Sequence, residues 1–109
     1  MVKLHRVAQV RTGRYKEALE FLVRAATLLR QGRGLDAQVY SCRFGLPVGH
    51  VVFEVDLPDL AAVEELQRQL NGDSQHRERL GEMRDVFVEG SVKDLLLLSV
   101  NENDPVFKT

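Results

Sequence analysis

The stretch "GLPVGHVVFEVD", residues 45–56, sets an imidazole, His50, and a carboxylate, Glu54, four positions apart among apolar neighbours. In an extended strand both side chains point to one face, but strand rise holds them about 13 Å apart, too far to act on each other directly. Glu54 is then a mid-strand carboxylate flanked by Val52, Phe53 and Val55. Buried without a partner, it would titrate high enough to serve as a general base. Held by a cation from the first strand, such as Arg6 or Arg11, or by one from a second subunit, it would be a structural ion pair. The sequence leaves both readings open. His50, next to the loop, suits a surface or interface position more than catalysis. The single cysteine, Cys42, cannot close an internal disulfide or by itself build a structural zinc site, and it reads as a small apolar side chain. The three histidines, His5, His50 and His76, fall in different segments with no HxH or HxxxH spacing, so no metal is expected.

The segments that must position these groups follow from periodicity. Residues 3–11, "KLHRVAQVR", are short and β-branched enough for a first strand. Thr12 is a potential cap for a first helix in which Tyr15, Leu19, Leu22, Ala26 and Leu29 recur on one face, opposite Lys16, Glu20 and Arg24, and which ends at Gly32 or Gly34. "DAQVYSCRF" (36–44) and "HVVFEVD" (50–56) make two strands around a Gly- and Pro-bearing loop. Asp59 then caps a helix carrying Leu60, Val63, Leu66 and Leu70, broken at Gly72. Ser74 can cap a further segment with Leu80, Met83 and Phe87, and "VKDLLLLSV" (92–100) is the last strand. This organisation predicts one domain over residues 1–100 and a polar, extended tail over 101–109.

The order β-α-β-β-α-β is the split βαβ of α+β, ferredoxin-like folds, in which an antiparallel sheet carries helices on one face only. The other face of such a sheet meets water in a monomer, so its strands should alternate apolar with polar residues. Leu95 to Leu98 and Val51 to Phe53 are unbroken apolar runs instead. Covering a Leu or Val yields roughly 1.5 to 3 kcal/mol, so the second face has a drive to be hidden. The expectation is a homodimer joined through the sheet face, the two sheets enclosing a common interior.

Composition excludes other partners. Fifteen Lys and Arg nearly cancel sixteen Asp and Glu, leaving a net charge of −1 and no field to draw nucleic acid or an anionic membrane. An RNA-reading sheet needs stacking aromatics on its middle strands, and only Phe53 is available there. "RQGRG" (30–34) follows a helix, where the dipole's negative end disfavours phosphate. No apolar run approaches the roughly 20 residues of a membrane span, and "MVKLHRVAQV" alternates rather than forming a signal-peptide core, so a cytoplasmic location is expected.

The strand order together with "RFGLPVGHVVFEVDLPDLAAVEELQRQLNGDSQHRERLGEMRDVFVEGSVKDLLLL" resembles the dimeric α+β barrel superfamily, and in particular its NIPSNAP-like members. The resemblance covers nearly the whole chain and rests on structural features, a glycine-bearing hairpin, an acidic strand end, a helix and a final apolar strand. It implies a cavity between sheet and helices in each subunit. It also implies kinship with cofactor-free antibiotic-biosynthesis monooxygenases, haem-degrading oxygenases and lactone isomerases. Against haem, His76 sits in "HRER", which reads as an exposed helix face, and the chain has no tryptophan such as that family places beside the haem. No cofactor is expected.

The functional expectation is an enzyme of the monooxygenase or isomerase kind, acting on a small apolar or aromatic molecule in that cavity. Glu54 and Tyr40 would be its acid–base groups. His5, Arg6, Cys42 and His50 would contact ligand from the sheet, and Tyr15, Phe21 and Phe87 from the helices. In that case Glu54→Gln abolishes turnover. The alternatives are a non-catalytic module that dimerises or holds a small ligand, and a protein that docks another chain through the tail, where Val106 and Phe107 form an apolar hook.

Overall fold

The structure is a computed structural model and describes residues 1–47 and 49–100. Its elements run β1 (Val2–Gln9), α1 (Tyr15–Arg33), β2 (Asp36–Ser41), β3 (His50–Leu57), α2 (Leu60–Asn71), α3 (Ser74–Val86) and β4 (Lys93–Leu98). The four strands form one antiparallel sheet in the order β2-β3-β1-β4. This is the ferredoxin-like α+β arrangement expected from the segment order, with the second helical region divided into α2 and α3.

Strand alternation divides the sheet into two unlike faces. Val2, Ala8 and Val10 from β1 and its continuation, Val51, Val55 and Leu57 from β3, and Ala37 from β2 are buried beneath the helices. They pack on Ala18, Phe21, Leu22 and Ala26 of α1 and on Val63 and Leu66 of α2. The buried stripe of α1 is therefore centred on Ala18, Phe21, Leu22 and Ala26, rotated from the expected one; Tyr15 is 38% exposed. Ala18 and Ala26, both essentially without accessible surface, permit close approach of helix to sheet.

Helix boundaries follow local chemistry. The side chain of Asp59 accepts a hydrogen bond from the Ala62 amide at 2.8 Å, as its position predicts. At α3 the cap is Asp73, which accepts from the Gln75 amide at 2.9 Å, and Ser74 lies inside the first turn. Thr12 does not cap α1. The N-cap is Arg14, whose side chain makes no capping bond and pairs with Glu17 at 3.0 Å. Gly34 ends α1 in the left-handed conformation, and the Gly34 and Leu35 amides close on the carbonyls of Arg30 and Leu29.

After α3 the chain straightens at Phe87, which bridges to Val10 and meets the Phe21 ring edge-on at 6.3 Å. β4 then takes the sheet edge beside β1, with every residue exposed. The run Leu95–Leu98 thus lies uncovered within the chain on both faces, between 43% and 58% exposed. β1 and β2 end earlier than expected, at Gln9 and Ser41, and the tail expected over 101–109, with Val106 and Phe107, lies outside the described residues.

Candidate functional site

Two polar clusters occupy opposite faces of the sheet. On the face turned away from the helices, His5 of β1 stands opposite Glu54 of β3. The His5 Nδ1 lies 2.7 Å from Glu54 Oε2, while the Lys3 ammonium lies 3.5 Å from Glu54 and 3.6 Å from Asp56. Burial would raise the Glu54 pKa, but the His5 hydrogen bond and the Lys3 charge outweigh it and hold the carboxylate below its ordinary range. The expected partners Arg6 and Arg11 do not reach it. Arg6 is the next residue along β1 and so points to the opposite face, where it pairs with Asp94. Arg11 donates to the Arg84 carbonyl at 3.3 Å. Glu54 is therefore ionised and paired, which removes the elevated pKa that would have suited a general base.

The same alternation corrects the placement of the other sheet candidates. Tyr40 registers with Val52, and its side chain, 48% exposed, shares the outer face with Glu54. His50 also lies on that side, its Nδ1 held 2.8 Å from the Pro47 carbonyl, and Cys42 Sγ lies 3.4 Å from the Phe44 carbonyl. Glu54, Tyr40, Cys42, His50 and Tyr15 do not line the space between sheet and helices. A one-residue difference in register decides this, because consecutive strand residues face opposite ways.

That space is a partly open cavity of about 940 Å³ lined by the inner face of β1, β3 and β4 and by all three helices. Its walls are mostly apolar and include Phe21, Phe53, Leu66, Met83, Phe87 and Leu96. Arg6 thus keeps its expected place at the cavity, as do Phe21 and Phe87; His5 touches the rim although its ring turns toward Glu54. One polar group of the lining is gathered by three elements. β1 supplies Arg6, β4 supplies Asp94 directly opposite it, and α3 supplies His76 and Arg79 from one helical turn.

Arg6 grips Asp94 with two parallel hydrogen bonds, Nε to Oδ1 at 2.7 Å and Nη2 to Oδ2 at 2.8 Å. The Arg6 hydrogen bonds lower the Asp94 pKa and keep it a carboxylate. Arg79, three-quarters buried, has its nearest carboxylate oxygen among the described residues, on Asp73, at 3.9 Å. His76 is shifted below its ordinary value, first by burial and then by the charge of Arg79, with Arg6 and Arg33 adding to it and Asp73 opposing. A neutral imidazole in an apolar cavity among guanidinium groups can take a proton from a bound hydroxyl, and the cations favour the anion so formed.

His76, Arg79 and Asp94 were not among the expected site residues. "HRER" reads as a charged exterior turn, and only the i, i+3/4, i+7 series His76, Arg79, Leu80, Met83 signals that one side of it continues an apolar stripe. Among the described residues no three His, Cys, Asp or Glu side chains are grouped as metal ligands would be.

No family model and no curated protein matches the chain. Solved structures do. A NIPSNAP domain protein from Burkholderia xenovorans is 15% identical and superposes with a TM-score of 0.73 over 92% of this chain and 95% of its own. A NIPSNAP family protein from Agrobacterium tumefaciens is 17% identical, with a TM-score of 0.71 over 92% of this chain and 86% of its own. A Deinococcus radiodurans protein proposed to be an antibiotic biosynthesis monooxygenase is 16% identical, with a TM-score of 0.71 over 93% of this chain and 94% of its own. Identities this low establish shared architecture, and the chain therefore has the ferredoxin-like fold of the NIPSNAP and antibiotic biosynthesis monooxygenase-like proteins.

Proposed function

We propose that the chain binds a small aromatic molecule in the sheet–helix cavity and acts on it without a cofactor, as a monooxygenase-like enzyme. The observation that carries this reading is the convergence of His76, Arg79 and the Arg6–Asp94 pair on a mostly apolar cavity of about 940 Å³. That volume suits a molecule of several fused rings. His76 takes the proton of a phenolic or enolic hydroxyl, and the guanidinium groups of Arg79 and Arg6 stabilise the resulting oxyanion. The electron-rich ring then reduces O2. For a phenol oxidised to a quinone, one oxygen atom enters the ring, the other leaves as water, and the two hydrogens lost by the substrate end in that water. The catalytic assignment moves from Glu54 and Tyr40 to His76 because the former pair lies on the other side of the sheet. Fold likeness to an antibiotic biosynthesis monooxygenase-like protein supports the same chemistry. The test is oxygen uptake by purified protein with a panel of naphthols and anthrones, compared with His76→Gln. Uptake lost in the variant while ligand still binds supports catalysis. Binding without uptake in either protein leaves the non-catalytic alternative, a small-ligand module.

We further propose that two copies join through the outer sheet face. Leu95 and Leu97 of β4 are 53% and 43% exposed there, and Tyr40 contributes an exposed ring. Pairing two such faces would hide these side chains, and would bring the Lys3, His5, Glu54 and Asp56 side chains of the two copies to the seam.

A further inference from the structure

We infer that the cavity's preferred ligand is an acid: an aromatic or aliphatic body with one carboxylate or sulfonate, the anion seated on Arg79 and on the N–H groups of Arg6 that Asp94 does not use. This inference rests on the cavity being a ligand site and names the class of molecule it takes.

The geometry leaves one guanidinium of the cavity, that of Arg79, uncommitted. The cavity is lined by three carboxylates, Glu64, Asp73 and Asp94, and by three guanidinium groups, Arg6, Arg33 and Arg79, so its formal charge balances. The acids near His76 are occupied. Both oxygens of Asp94 accept from Arg6, and Asp73 spends Oδ1 on the Gln75 amide at the start of α3. The bases are not. Among the described residues Arg6 donates through only two of its nitrogens and Arg79 donates no hydrogen bond, its closest approach to a carboxylate being the 3.9 Å contact with Asp73 Oδ2.

A guanidinium carries five N–H donors in a planar fork matched to a carboxylate, and a largely buried one with unused donors is costly unless something accepts them. Arg79 is only 26% exposed, so solvent reaches only part of it. His76, three residues earlier on the same face, adds a ring nitrogen to the same wall. Burial and then the charge of Arg79, with Arg6 and Arg33 adding to it against Asp73, push its pKa down, in keeping with this placement. Beyond it, along α2 and the inner sheet face, Val63, Leu66, Leu70 and Phe53 form an apolar strip, with Glu64, Gln67 and Asn71 as the polar side chains of α2 beside it. One charged end and one long apolar body is the complement of that surface.

A matched pair of fluorescent probes tests this. 8-Anilinonaphthalene-1-sulfonate and N-phenyl-1-naphthylamine share one ring skeleton and differ by the sulfonate. Each is titrated into the full chain at pH 7, and into Arg79→Gln and Arg79→Lys. The sulfonate probe is expected to bind about tenfold more tightly than the neutral one, the equivalent of one charge-assisted hydrogen bond. Arg79→Gln should bring the two affinities within about twofold by weakening the sulfonate probe alone, and Arg79→Lys should retain part of the preference. Equal affinities for the native chain, or a sulfonate affinity unmoved by Arg79→Gln, would overturn the anion site while leaving an apolar ligand cavity standing. Failure of both probes to bind the native chain would overturn the cavity reading as well. A circular dichroism spectrum of Arg79→Gln matching the native chain excludes unfolding as the source of any loss.

Discussion

His5 Nδ1 and Glu54 Oε2 lie 2.7 Å apart across the two central strands, on the face of the sheet that the helices do not cover. The contact joins residues 49 positions apart in sequence, whereas His50, four residues from Glu54, makes no contact with it. Because the pairing keeps Glu54 ionised, the carboxylate contributes to stability above its unfolded pKa, near 4.5, and that contribution fades as pH falls through its lower folded value. Urea unfolding measured between pH 3 and 6 should show the native chain losing stability across the acid end of this range. In Glu54→Gln that limb should be shallower, with the difference between the proteins greatest above pH 4.5.

His76 should titrate below its ordinary 6.5, and Arg79→Gln should move its midpoint upward. The sign for stability follows from the unfolded chain taking up this proton first. As pH falls through 6.5 the unfolded state gains a proton that the folded state does not, so folding stability declines until the folded midpoint is reached. Two-dimensional NMR of the imidazole resonances gives the midpoint directly. A His76 midpoint at or above 6.5 would contradict the burial and the surrounding positive charge.

Leu57 is among the largest fully buried side chains, and it packs with Val2, Val55 and Val63. Leu57→Ala should cost about 2–5 kcal/mol, the lost transfer energy plus an unfilled cavity. Equilibrium denaturation reports it as a lower midpoint with an unchanged slope.

Leu97 offers the contrast. Its side chain is 43% exposed on the outer face, so Leu97→Glu should leave the fold intact. If that face joins two copies, the variant should sediment as a monomer at concentrations where the native chain sediments as a dimer. A native chain that sediments as a monomer at micromolar concentration would refute the joining of sheet faces.

The caps give a smaller, local prediction. Asp59→Ala and Asp73→Ala each remove the side-chain acceptor of one backbone amide, at Ala62 and Gln75, and each should cost about 1 kcal/mol. Asp73→Ala also removes the carboxylate facing Arg79, so it should strengthen the binding of an anionic probe, whereas Asp59→Ala should not.

What the sequence by itself determined is local and periodic. The alternation and β-branching of "HVVFEVD", the apolar spacing of α1 and α2, and Asp59 before Leu60 specify strands and helices because their physics acts between neighbours in the chain. The order of those elements then leaves few ways to build a sheet, and the ferredoxin-like arrangement is the one found. Tertiary structure alone decided the site. Which face of β3 turns to the helices depends on register with β1, and that register put Glu54 and Tyr40 outside and Phe53 inside. Arg6 and Asp94, 88 positions apart, meet only because β4 lies antiparallel beside β1, and His76 joins them only because α3 folds back over that end of the sheet. Chemistry made by convergence of distant residues leaves little periodic trace, and around "HRER" only the spacing of His76, Arg79, Leu80 and Met83 hinted at an inward side.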